Sequence, residues 1–125
     1  EMAKHNDIGR MGEDFAARYL AQQGYDIMER DWQQGSRDLD IIARTPDGIT
    51  VVFVEVKTRT SDEIMLPEEA VTPQKIRHLG LTAHAYVQEK ALDDEVRFDI
   101  INVIGTSPDN FQLEHIEDAF NPLLR

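Results

Sequence analysis

Apolar and polar positions change period several times along the chain, and each change marks an element. Over residues 7–23, Ile8, Met11, Phe15, Tyr19 and Leu20 recur at three- and four-residue spacing, which predicts an amphipathic helix. Asn6 or Asp7 would cap its start and Gly24 would stop it, leaving residues 1–6 as a disordered start. Gly9 and Gly12 each cost about 1 kcal/mol in a helix relative to Ala, so they point to a close approach by another backbone or a ligand. Beyond Gly24 the pattern becomes extended. Tyr25 to Trp32 reads as a strand, Gln33-Gln34-Gly35-Ser36 as a loop, and Asp38 to Arg44 as a second strand. Thr45-Pro46-Asp47-Gly48 is a turn, which makes a hairpin with the stretch that follows.

That stretch, Ile49 to Thr60, holds four valines and a phenylalanine, the composition of a strand buried on both faces. Glu55 and Lys57 break the apolar run two residues apart, so period-2 geometry puts both on one face. A hairpin closed at Pro46-Asp47-Gly48 sets Asp40 opposite Glu55, and a slip of one residue would turn Asp40 to the other face. Met65 to Val71 reads as a loop entering a short helical turn. A longer helix then starts with Thr72 as cap and Pro73 in its first position, burying Ile76, Leu79, Ala83, Tyr86 and Val87. Strands at 96–104 and 111–116 follow, the last at a sheet edge, with 118–125 as a tail. This order, helix, three strands, helix, two strands, predicts an α/β or α+β fold with a mixed sheet.

Composition narrows the chemistry. A chain of 125 residues suits one domain. No run approaches the ~18 apolar residues of a membrane span, and the first residues carry no hydrophobic signal core, so no membrane partner and a cytoplasmic location are the default expectations. The absence of cysteine excludes disulfides, thiolate metal sites and thiol nucleophiles. A net charge of −11 opposes non-specific coating of nucleic acid. It is unevenly spread: residues 1–60 carry eight basic and eleven acidic side chains, and residues 61–125 carry five and thirteen. Arg10, Arg18, Arg37, Arg44, Lys57, Arg59, Lys75 and Arg77 are the cations available for a local basic surface.

Two carboxylates and a lysine at the end of a sheet suit metal-assisted phosphodiester hydrolysis. Asp40 and Glu55 offer hard oxygen ligands to Mg²⁺, the Val56 carbonyl between them is a further candidate, and Glu13 on the first helix completes the shell directly or through water. Lys57 would hold the scissile phosphate, orient the attacking water and meet the charge developing on phosphorus. Arg59, Gln74, Lys75 and Arg77 are the candidate contacts to flanking phosphates. The bland reading of the same residues is a partly buried ion-pair network. The scattered His5, His78, His84 and His115 show no metal spacing and read as surface or packing residues. Asp99, inside an apolar strand, reads as a structural hydrogen-bonding acid, and Trp32 as packing.

Gly12-Glu13, Gly24-Tyr25, Asp40-Ile41-Ile42-Ala43, the run Phe53-Val54-Glu55-Val56-Lys57-Thr58-Arg59, Pro67, Ala70-Val71, Lys75 and Arg97-Phe98-Asp99 together resemble the bacterial YraN family of uncharacterised proteins. The resemblance covers most of the chain and is most specific over Phe53 to Arg59. It implies a PD-(D/E)XK nuclease fold, that is, a restriction-endonuclease-like three-layer core with a mixed sheet between helices, close to Holliday-junction resolvases. By position it makes Asp40, Glu55 and Lys57 the triad, Glu13 the helical acid, and Gln74 or Lys75 the later polar helix position. It further implies Mg²⁺ or Mn²⁺ as cofactor, DNA, branched or damaged, as substrate, and a homodimer, because related resolvases cut two strands. Two departures stand out. Arg37-Asp38-Leu39-Asp40 replaces the usual Gly-Glu-Ile-Asp, and Asp31-Trp32-Gln33 replaces a common Asn-Trp-Arg. The alternative within the same fold is an inactive module that binds nucleic acid or protein.

Overall fold

A computed structural model describes residues 2–60 and 71–122. At its centre runs β3 (Thr50–Arg59), whose residues Val51 to Val56 are all buried. Valine and phenylalanine fit a pleat covered on both sides, and burying each such side chain stabilises by about 1.5–3 kcal/mol. Alternation along the strand divides these residues between two cores. Val52, Val54 and Val56 pack beneath α1 (Met2–Gln22) with Ala16, Leu20, Ile41 and Ile101. Val51 and Phe53 pack beneath α2 (Pro73–Lys90) with Leu79, Ala83, Tyr86 and Phe98. The result is helix, sheet, helix: the three layers expected of a restriction-endonuclease-like core.

The sheet has the order β1-β2-β3-β4-β5, with β1 (Asp26–Gln34), β2 (Arg37–Arg44), β4 (Glu95–Ile104) and β5 (Gln112–Ile116). It is mixed, as predicted. β3 and β4 are parallel with α2 as the crossover between them, and the other neighbours are antiparallel. The turn from β2 to β3 closes on Asp47, whose carboxylate accepts from the Thr45 hydroxyl at 2.6 Å and the Ile49 amide at 3.0 Å, while Gly48 takes φ 78°. Thr72 caps α2 by accepting from the Lys75 amide at 3.2 Å. Ala91, in the left-handed conformation, ends that helix. Among the described residues no helix is long and apolar enough to cross a membrane.

Several boundaries differ from the sequence reading. α1 begins at Met2, ahead of the expected start at residue 7, and Asn6 and Asp7 lie within its bounds. The loop expected at Gln33 to Ser36 shrinks to the two residues Gly35-Ser36, because Gln33 and Gln34 still pair with Asp38 and Arg37. Met65 to Ala70 lie outside the described residues, and Val71 is buried in the α2-side core. The chain after β5 folds back: the Ala119 amide donates to the Phe98 carbonyl at 2.8 Å, and Phe120 packs on Phe98.

On the α1 face, Asp99 of β4 is fully buried and fully partnered. Arg97 grips both its oxygens at 2.9 Å, His115 of β5 meets Oδ2 at 2.7 Å, and the Asp118 amide donates at 2.9 Å. His115 in turn meets the Tyr19 hydroxyl of α1 at 3.1 Å. Asp99 is therefore the structural acid expected of it. His115 is no surface residue but a tie between edge strand and helix.

Candidate active site

The end of β3 where the valines stop is where the acids gather. The β2–β3 pairing runs as far as Ile41 against Val54, and just beyond it Asp40 lies within reach of the charge of Glu55. Asp40 closes the pairing with its side chain: Oδ2 accepts from the Val56 amide at 2.8 Å. From above, α1 delivers Glu13. Its neighbour Gly12 makes this approach possible, since a Cβ there would collide with the Thr58 side chain; nothing comparable lies near Gly9. One of the two helical glycines thus has a close neighbour, a side chain where the sequence pointed to a backbone or a ligand.

Glu13, Asp40 and a third acid, Asp31, offer carboxylate oxygens that all lie within 4.8 Å of one another. Asp31 stands opposite Asp40 in the β1–β2 register, between the pairs Arg30–Ile41 and Trp32–Leu39. Its backbone has φ 52°, a left-handed conformation that Asp tolerates better than most residues. Burial, followed by the hydrogen bond and charge of Asp31, pushes Glu13 up to about 7, with Arg30 acting the other way. Burial, followed by the charge of Glu55, pushes Asp40 up to about 8 despite the opposing Val56 amide. Close anions that raise one another's affinity for a proton also favour a cation.

Glu55, 6% exposed, faces α2 and is held by two ammonium groups, Lys57 at 3.4 Å and Lys75 at 3.0 Å. Burial acts to lower the Lys75 ammonium, yet the charge and hydrogen bond of Glu55, with Asp40 and Asp38 behind, hold it above its ordinary value. The sequence-derived residues Glu13, Asp40, Glu55, Lys57 and Lys75 thus converge at one sheet end. Val56 contributes its amide to Asp40 there. Gln74 and Arg77 are exposed on the first turns of α2. Arg59 lies one step further along β3, its carbonyl accepting from the Gly105 amide at 2.8 Å. The cations do not form one surface: Arg44 pairs with Asp94 at 3.2 Å, and Arg18 lines a groove with Phe15 and Leu113 on the α1 side.

Sequence reasoning missed Asp31 and Asn102. Asn102 pairs with Lys57 in the β3–β4 register and is 4% exposed, and its buried Oδ1 has no hydrogen-bond partner among the described residues.

A family model described as "Uncharacterised protein family UPF0102" matches residues 12–103, from the glycine at the helix crossing through β4. The chain belongs to this family. A UPF0102 protein of Bacteroides fragilis, BF0634, is 46% identical over 123 residues, covering 98% of this chain and 99% of that protein. A UPF0102 protein of Porphyromonas gingivalis is 47% identical over 125 residues, covering 99% and 91%. Among solved structures, the chain overlaps EndoMS, seen in a complex with dsDNA, with a TM-score of 0.41 and 20% identity over 70% of this chain and 34% of that one. It overlaps Pyrococcus furiosus SfsA, seen with Ca²⁺, with a TM-score of 0.29 and 14% identity over 93% and 63%. Neither overlap is close enough to carry the function across.

The donor set of this UPF0102 chain fits a hard divalent cation. Mg²⁺ binds oxygens at about 2.0–2.1 Å, so ligands on opposite sides of it stand about 4.2 Å apart. Neighbouring ligands in the same octahedron stand about 2.9 Å apart, so the Glu13, Asp31 and Asp40 oxygens, within 4.8 Å of one another, would draw together around an ion.

Proposed function

We propose that this chain is a metal-dependent endonuclease that hydrolyses DNA phosphodiester bonds at the end of β3, with Mg²⁺ or Mn²⁺ held by Asp40 and Glu13 together with Asp31 or Glu55. The convergence of the Glu13–Asp31–Asp40 cluster with the Glu55–Lys57–Lys75 ion-pair network carries this reading. A bound divalent ion supplies Lewis-acid polarisation of a phosphoryl oxygen and an acidified water. The remaining work falls to the chain's own side chains. Glu55 holds the ammonium of Lys57 at the sheet end, where it orients the attacking water and meets negative charge growing on phosphorus. Lys75 enters from α2 as a second cation for a phosphate oxygen. Glu13, brought by α1 to the same sheet end, completes the oxygen donors.

Branched or damaged DNA is the substrate proposed, acted on by a homodimer. A net charge of −11 favours a second reading, an inactive module of the same fold that binds nucleic acid or protein. Cleavage of labelled linear, nicked, flapped and four-way-junction DNA in Mg²⁺ or Mn²⁺, with Lys57→Ala beside the wild type, separates the two. Products that need both metal and Lys57 support the enzyme. Metal binding without products supports the module.

A further inference from the structure

Beside the acid cluster, between the β1–β2 turn and the side of α2 that carries Lys75, Leu79 and Thr82, lies a cavity of about 450 Å³. Arg37, Asp38, Lys75, His78 and the buried Leu79 line it. Two of these residues belong to both places. Lys75 is bound to Glu55, and the charge of Asp38 acts on Glu13, Asp40 and Lys75. The cavity therefore opens next to the carboxylates. Its lining combines two permanent cations, Arg37 and Lys75, with one titratable ring, His78, one anion, Asp38, and one apolar wall, Leu79. No acid sits in the first turn of α2, and the positive end of its dipole favours an anion there.

We propose that this cavity takes one nucleotide, its phosphate against Arg37 and Lys75 and its base against Leu79, from a strand that has left the duplex. This rests on the nuclease reading and narrows its substrate. The volume is at the low end of ligand pockets and suits a single nucleotide rather than a base pair. Whole-molecule charge supports the same choice. Duplex DNA carries one phosphate charge per ~1.7 Å of axis, and a chain of net charge −11 is poorly made to follow it along an extended face. A single strand threaded past two local cations needs no such face.

Fluorescence anisotropy of the full chain in EDTA, with labelled duplexes ending in a single-stranded overhang or blunt, tests this. The overhang should bind more tightly to the wild type. Arg37→Gln should weaken overhang binding about tenfold, the usual scale for losing a charged hydrogen bond, and leave blunt binding unchanged. Arg37→Lys, keeping the charge, should restore most of it. Arg18→Gln, an equal charge change on the other helix face, should alter neither. Thymidine monophosphate should shift the Arg37 and His78 amide resonances if the cavity takes a nucleotide, free or in a strand. No overhang preference, equal losses for both duplexes in Arg37→Gln, or nucleotide shifts confined to Glu13 and Lys57 would overturn the proposal. The two readings fail separately. Arg37-dependent overhang binding without metal-dependent cleavage sinks the nuclease and keeps the cavity, and Lys57-dependent cleavage without overhang preference does the reverse.

Discussion

Asp40 is the residue at which stability and the proposed activity pull apart. Its carboxylate is buried beside Glu55 and Glu13, and among the described residues the Val56 amide donates to it. Asparagine keeps an oxygen to accept from that amide and removes the repulsion. Asp40→Asn should therefore stabilise the metal-free protein by about 1 kcal/mol, as relief of a strained functional site commonly does, while abolishing cleavage. A purely structural ion-pair network predicts the opposite sign in a thermal melt. Asp99 makes the contrast. Burial alone would raise its carboxyl, but His115, Arg97 and the Asp118 amide together hold it below its ordinary value of 3.8. A depressed acid contributes stability that is complete above 3.8 and is lost as pH falls through its lower folded value. Asp99→Asn should thus cost about 2–4 kcal/mol near neutrality and flatten the loss of stability below that pH, as urea melts at stepped pH would read.

Elements place these residues, and the crossing of α1 over β3 is the most exacting of the placements. Gly12 leaves no room for a side chain against Thr58, so Gly12→Val should cost about 1–3 kcal/mol in overpacking. Valine's better helix propensity, worth less than ~1 kcal/mol, cannot offset that. Cleavage should fall further than the melting temperature suggests, because lifting the helix also withdraws Glu13. One end of this crossing was legible in sequence, Gly12-Glu13 in a periodic helix; that Thr58, just past Lys57, is what Gly12 meets was not. Nor was the β1–β2 connection. A loop across Gln33 to Ser36 would set Asp31 opposite Asp38, whereas the actual two-residue turn at Gly35-Ser36 sets it opposite Asp40. Glutamines tolerate strand and loop alike, so nothing local fixed the turn length, and Asp31 stayed hidden as a cluster member.

At the scale of the whole molecule, an acidic chain concentrates further negative charge at one sheet end, and a divalent cation is the economical way to relieve it. Saturating Mg²⁺, at about 100 times its Kd, should stabilise the fold by about 2.7 kcal/mol, a rise in Tm of about 10 °C for a domain of this size. EDTA should reverse the rise, and Glu13→Gln should abolish most of it. Differential scanning calorimetry with and without Mg²⁺ reads both. An unchanged Tm in each case would remove the metal from the site.

The sequence by itself determined the layers and the line of the site. Hydrophobic period sets which residues a strand or helix must bury, and that rule is local enough to place β3, α2 and the hairpin that brings Asp40 to Glu55. It also left Glu55 and Lys57 in view as charges that an apolar strand does not carry without partners. Tertiary structure alone decided who those partners are. That Lys75 reaches Glu55 from α2, that Asp31 joins Glu13 and Asp40, and that His115 ties β5 to α1 through Asp99 and Tyr19 depend on packing between segments far apart in the chain. Such contacts follow from how the sheet stacks its two helices, and no spacing along the chain encodes them.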